Sequence, residues 1–138
     1  MQDADKFKIK DKLRKKLGKK GEKLAIKLLK HKKYKIIARN FETEIGEIDI
    51  IVKKADLIVF VEVRSKTFPY VISPGESVNR EKQRKIGLTA RDFLRHHRIS
   101  KLSYRFDVVS VIFDIEHKLK EIEHLESAFV PKDTRGFL

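Results

Sequence analysis

GEIDIIVKKADLIVFVEVRSK, residues 46–66, reads as two apolar strands joined by a tight polar turn near Ala55–Asp56. Three charged residues, Asp49, Glu62 and Arg64, interrupt these hydrophobic runs. A charge in a buried strand is costly unless it is paired or binds an ion. Strand side chains alternate between faces, so Glu62, Arg64 and Lys66 are expected on the face of Phe60, and Glu47 and Asp49 on the face of Ile51. An even-length turn centred on Ala55–Asp56 brings Asp49 opposite Glu62. Two opposed carboxylates about 5 Å apart repel by about 3 kcal/mol at an effective dielectric near 20. A divalent cation with oxygen ligands offsets that repulsion, and can also activate water and stabilise charge on a phosphate oxygen. A structural ion pair, with Arg64 or Arg39 as the neutralising group, is the competing reading.

Outward from this hairpin, the chain has the size of one domain, 138 residues. It has no apolar run of about 18 residues, so no membrane-spanning helix is expected. The basic N-terminus lacks the apolar segment of a secretory signal. With no cysteine there is no disulfide, no thiolate nucleophile and no thiolate zinc site, which fits a cytoplasmic protein. The formal net charge is +13, and residues 1–35 carry fifteen Lys/Arg against four acids. Such an imbalance points to a polyanionic partner, with nucleic acid first and an anionic membrane surface second. A lysine-rich solvated surface is the plain alternative.

Leu17, Leu24, Ala25, Leu28 and Leu29 recur at helical spacing and predict a helix over about 19–32, with Gly18 and Gly21 obscuring its start. Residues 1–16 are a basic arm or an extension of that helix, and 17–130 form a single domain before a tail, 131–138. YKIIARNFET reads as a strand ahead of the hairpin. The stretch TFPYVISPGES reads as a loop, and Asn79 caps a helix over about 80–97. SYRFDVVSVIFD is a strand buried on both faces, and LKEIEHLESAF a short edge strand followed by the tail. Asp107 is expected to pair with Arg105 for structure, and Tyr34 and Phe41 to pack in the core. Helix, three strands, helix and strand make an α/β layer arrangement.

The pieces LGKKGEKLA, ARNF, GEIDII, VFVEVRSKT, EKQRKI and RFDVV, in this order from about residue 17 to 129, resemble the YraN-like group of small bacterial proteins. That group is placed in the PD-(D/E)XK nuclease superfamily. The resemblance implies a restriction-endonuclease-like core, a mixed β-sheet flanked by helices in the order αβββαβ. It also implies a metal-dependent endonuclease site using Mg2+, with Mn2+ as a substitute. Asp49 matches the motif aspartate, Glu62 the first residue of the E-x-K motif, and Glu22 a glutamate that some branches add to the metal site. Asp49, Glu62 and Arg64 are then the catalytic set, and Asp49, Glu62 and Glu22 the metal set. Lys82 and Gln83 match polar residues reaching the site from the second helix, and join Lys19, Lys20 and Lys66 as candidate contacts to DNA or RNA. The chain departs from the pattern at Arg64, where the family has lysine. Arginine stays charged and can clamp phosphate but cannot exchange a proton. Resolvase-like relatives of this fold work as dimers, so a homodimer is in scope. A non-catalytic nucleic-acid-binding module on the same fold is the alternative function.

Overall fold

The structure, a computed structural model, describes residues 3–69, 78–97 and 103–131. Its elements are α1 (Asp3–His31), β1 (Lys35–Glu42), β2 (Glu47–Lys54), β3 (Leu57–Thr67), α2 (Arg80–His96), β4 (Ser103–Phe113) and β5 (Leu119–Phe129). The five strands form one mixed sheet in the order β1-β2-β3-β4-β5. Only β3 and β4 run parallel, and α2 is their crossover. Among the described residues no helix is long and apolar enough to cross a membrane.

The sheet is sandwiched between the helices. On one face Ala25, Ile26 and Leu29 of α1 pack on Ile50, Val52, Val59, Val61, Val109 and Val111. On the other, Ile86, Ala90, Phe93 and Leu94 of α2 pack on Ile51, Ile58, Phe60, Phe106 and Val108. Burial on both faces is why the middles of β3 and β4 are almost continuously apolar. The hairpin turn is as the sequence predicts: Lys54 pairs with Leu57, and Ala55 takes a left-handed φ of 51°.

One expectation is decided and one changes. α1 begins at Asp3, before residue 19, so residues 3–16 take the second of their two readings, an extension of the helix. A glycine costs a helix about 1 kcal/mol relative to alanine, but the lysines, leucines and arginine around Gly18 are strong helix formers. Asp3 and Asp5 in the first turn and Lys30 and His31 in the last favour the helix dipole. Gly21 has a packing reason: a Cβ there would collide with Ser65 Oγ, so its absence lets α1 settle on β3. β5 is a full eleven-residue partner of β4, and the order is αβββαββ. Its faces are largely solvated, so charged residues on both sides blur the apolar alternation that marks a strand. The tail from 132 onward, and 70–77 of the loop, lie outside the described residues.

Candidate functional site

The hairpin β2–β3 keeps its expected register from Lys54↔Leu57 to Ile50↔Val61, and the ladder ends there, one pair short of Asp49 and Glu62. Beyond it, the Asp49 carboxylate accepts the Val63 main-chain N–H at 2.8 Å. A side chain thus fills the place of a backbone partner where the two strands fork.

The alternation also breaks at this point. Ile50 packs on the α1 side, whereas Ile48 and Ile51 both pack on the α2 side. Asp49 therefore does not share a face with Ile51, contrary to strict alternation. It lines a cleft of about 690 Å3 with Lys19, Glu22, Arg39, Asn40 and Glu47. The cause lies on both strands: Arg39 pairs with Ile50 and Phe41 with Ile48. Between those pairs, Asn40 adopts a left-handed φ of 47°, a conformation asparagine tolerates better than most residues. Oriented with its nitrogen toward the cleft, the Asn40 amide donates to Glu47 at 3.0 Å and to Glu22 at 3.3 Å.

Glu62 is buried and, like Phe60, belongs to the α2 side by alternation. Its Oε1 lies 2.8 Å from Lys82 Nζ and 3.8 Å from Arg64 Nη1. Lys82 is aimed by the helix cap, since Asn79 Oδ1 accepts the Lys82 main-chain N–H at 2.8 Å and starts α2 there. The fork is thus approached from above by Glu22 of α1 and from below by Lys82 of α2.

The electrostatics follow from this crowding. Burial, then the negative charge of Glu62, pushes the Asp49 carboxyl up to about 8. Burial and the charge of Glu47 raise Glu22 as well, while a hydrogen bond with Asp49 pulls it back. Among the described residues no cation stands within ion-pair distance of Asp49. The donors are hard carboxylate oxygens, the type that Mg2+ takes. Among the described residues no group of three or more His, Asp or Glu is placed to enclose a metal ion. A divalent cation at the fork would have at most one or two protein carboxylates and would need water or substrate oxygens in its remaining positions. Asp49 and Glu62 would be those carboxylates, with Glu22 acting through water.

The remaining candidates are dispersed. Lys19 lines the Asp49 cleft. Lys20 turns away, donating to the His117 carbonyl at 2.8 Å and lying over the Phe113 ring. Lys66 lines a separate cavity with Lys10, Arg14 and Leu17. The Gln83 amide donates to the Val78 carbonyl at 2.9 Å, bracing the start of α2. Asn40 and Glu47 also belong to the cleft. Glu47 carried a signal, two residues before Asp49 in a strand; Asn40 carried none beyond its polarity in an apolar run.

Asp107 belongs to a different cluster. It takes two nitrogens of Arg105, His124 Nε2 at 2.7 Å and the Ser127 N–H at 2.9 Å. Burial alone would raise its pKa, but the hydrogen bonds from His124 and Arg105 outweigh it and hold it low. This closed network is structural, as the Arg105–Asp107 pairing in the sequence suggests.

The Uncharacterised protein family UPF0102 matches residues 21–111, a span that includes Glu22, Asp49, Glu62, Arg64 and Lys82. A UPF0102 protein of Desulforamulus reducens is 42% identical over 117 residues, covering 83% of this chain and 96% of that protein. One from Alkaliphilus oremlandii is 43% identical over 119 residues, covering 85% and 100%, and one from Caldicellulosiruptor saccharolyticus 36% over 113 residues, covering 82% and 96%. A family match over most of the chain, with relatives alike along nearly their whole length, means that the chain belongs to UPF0102, the YraN-like family.

Proposed function

We propose that the fork of the β2–β3 hairpin is a metal-dependent phosphodiesterase site on a restriction-endonuclease-like core, acting on nucleic acid. The observation that carries this reading is Asp49. Its carboxylate is buried in the fork, held by the Val63 N–H and in the repulsive field of Glu62 and Glu22, with Lys82 acting on it only at longer range. Among the described residues the ion pairs at the fork, from Lys82 at 2.8 Å and Arg64 at 3.8 Å, fall on Glu62 and none falls on Asp49.

Bound Mg2+ supplies Lewis acidity toward a phosphate oxygen and lowers the pKa of a bound water. This chain's own residues do the rest. Asp49 and Glu62 present oxygens from two strands at the point where the hairpin ladder ends and the strands fork. Asn40 holds Glu22 and Glu47 at the rim of the cleft by its amide. Arg64, partly buried beside Glu62, offers a planar fork suited to two phosphate oxygens. Lys82 is a mobile point charge able to leave Glu62 for a phosphate.

The test is cleavage of single-stranded, duplex, flap and junction substrates with Mg2+, with Mn2+ and with EDTA. Metal-dependent products that vanish in Asp49→Asn support the reading. One observation favours a second reading, a non-catalytic nucleic-acid-binding module: Lys82 already occupies Glu62 at 2.8 Å, and Arg64 stands where the family pattern has lysine. Salt-sensitive binding with no cleavage under any metal would establish it.

A further inference from the structure

Six lysines of α1, Lys8, Lys12, Lys16, Lys19, Lys23 and Lys27, follow one another at intervals of three or four residues, and all six are exposed. At about 100° per residue they keep within about 50° of a common line along the helix, forming one ridge. Among the described residues none of their ammonium groups is within ion-pair distance of a carboxylate; Asp11, beside Lys12, is taken by Arg14 and Lys15, and Glu22, beside Lys23, feels Lys19 only through its field. Successive lysines rise by about 6 Å per four residues, and the ridge spans about 29 Å from Lys8 to Lys27. Its middle, at Lys19 and Lys23, is the wall of the cleft that holds Glu22 and Asp49.

The N-terminal half of α1 adds a second observation. From Asp3 to Lys16 almost every residue is exposed, and Leu13 is the one apolar side chain there packed against the core. This segment adds little to the core, yet it carries half of the ridge. Lys8 stands about 21 Å along the axis from Glu22, or about six base-pair steps at 3.4 Å each.

We infer that this ridge is a rail for the phosphate backbone of a nucleic acid. It leads into the carboxylate cleft and extends the footprint some six base pairs to one side of it. The inference deepens the nucleic-acid reading above but does not need cleavage. An anionic membrane surface fits less well. The exposed apolar residues of this segment, Phe7 and Ile9, are about 200° apart on the helix and make no apolar face to insert.

The test is fluorescence anisotropy of a labelled 24-base-pair duplex over a salt series, with wild type, Lys8→Ala/Lys12→Ala/Lys16→Ala, Asp49→Asn, and Lys35→Ala/Lys54→Ala as a control at the opposite end of the domain. Alanine keeps the helix, which circular dichroism verifies. Each lost phosphate contact lowers the slope of log K against log salt by about 0.9, so the triple variant should lose about 2.7 and the control almost nothing. Asp49→Asn should bind with the wild-type slope, even if it abolishes cleavage. A wild type that binds with a triple variant of unchanged slope overturns the rail and leaves the nucleic-acid reading standing. Absence of duplex binding by the wild type, or preferential binding of the wild type to vesicles of anionic lipid, overturns both.

Discussion

At the scale of the residue, Asp49 decides most. Its carboxyl is raised to about 8, so between about pH 4 and pH 8 the folded chain keeps a proton that the unfolded chain has lost. Stability contributed by this group therefore falls as pH rises through that window and is level above it. Urea denaturation should show the wild type losing on the order of 2–4 kcal/mol between pH 5 and pH 8. Asp49→Asn, which keeps an oxygen for the Val63 N–H, should flatten that slope and be at least as stable at pH 8. Metal competes with the same proton, so Mg2+ affinity should rise with pH by up to about tenfold per unit toward pH 8, releasing a proton detectable by calorimetry in two buffers. Arg64 gives a separate expectation. If lysine is the better partner of the attacking water, Arg64→Lys should raise Mg2+-dependent cleavage with duplex binding almost unchanged. A slower lysine variant would show that the guanidinium is the fitted group here.

At the scale of the element, the β4–β5 pairing rests on Asp107. With Arg105, His124 and Ser127 on it, and Tyr34 Oη 2.6 Å from Arg105, one carboxylate ties β4, β5 and the turn after α1 together. Lys32 Nζ lies 2.9 Å from His124 Nδ1, and His124 Nε2 lies 2.7 Å from Asp107, so the ring bridges the end of α1 to the Asp107 network. Asp107→Ala should cost about 3–5 kcal/mol in urea denaturation, because it strands a partly buried arginine. Cleavage per folded molecule should not change. This network also shows what the sequence can and cannot convey. Arg105 and Asp107, two apart on one strand, announce their pairing; His124 arrives from an edge strand whose charged faces hide its period. The hairpin register is equally legible, because KKADL allows one tight turn. The break in alternation at Asp49 is not legible: it arises from Asn40 on the neighbouring strand, and a single strand's pattern carries no record of a neighbour's backbone angle. The choice of Glu62, Arg64 and Glu22 came from the sequence and the family resemblance together. Their approach to one another from opposite sides of the sheet became visible only with the two helices in place.

At the scale of the whole molecule, the sheet is a partition with a gap. α1 and α2 cover opposite faces, and at the β2–β3 fork charged groups from both helices act on Asp49: Glu22 from one, Lys82 from the other. The chain carries a net charge of +13 and this site is a small acidic centre, an arrangement that on the proposed function would draw a polyanion toward a point where its phosphates need a cation to approach. Lys82 sits at that junction and gives the sharpest expectation. In the free protein its ammonium occupies Glu62, so on the proposed function it would compete with Mg2+ for the same oxygen. In the complex the same ammonium is free to meet a phosphate. Lys82→Met should therefore act in opposite directions on the two ligands. Mg2+ affinity, measured by calorimetry without nucleic acid, should rise by a few-fold. Duplex affinity should fall, with the salt slope reduced by about 0.9. Glu62 is only 6% exposed, so the metal-free variant should lose stability, with Arg64 at 3.8 Å left beside a buried carboxylate, and Mg2+ should restore it. If both affinities fall together and Mg2+ does not restore the melting temperature, Lys82 is a fixed brace for Glu62, and the carboxylates are part of the scaffold, not a place for metal.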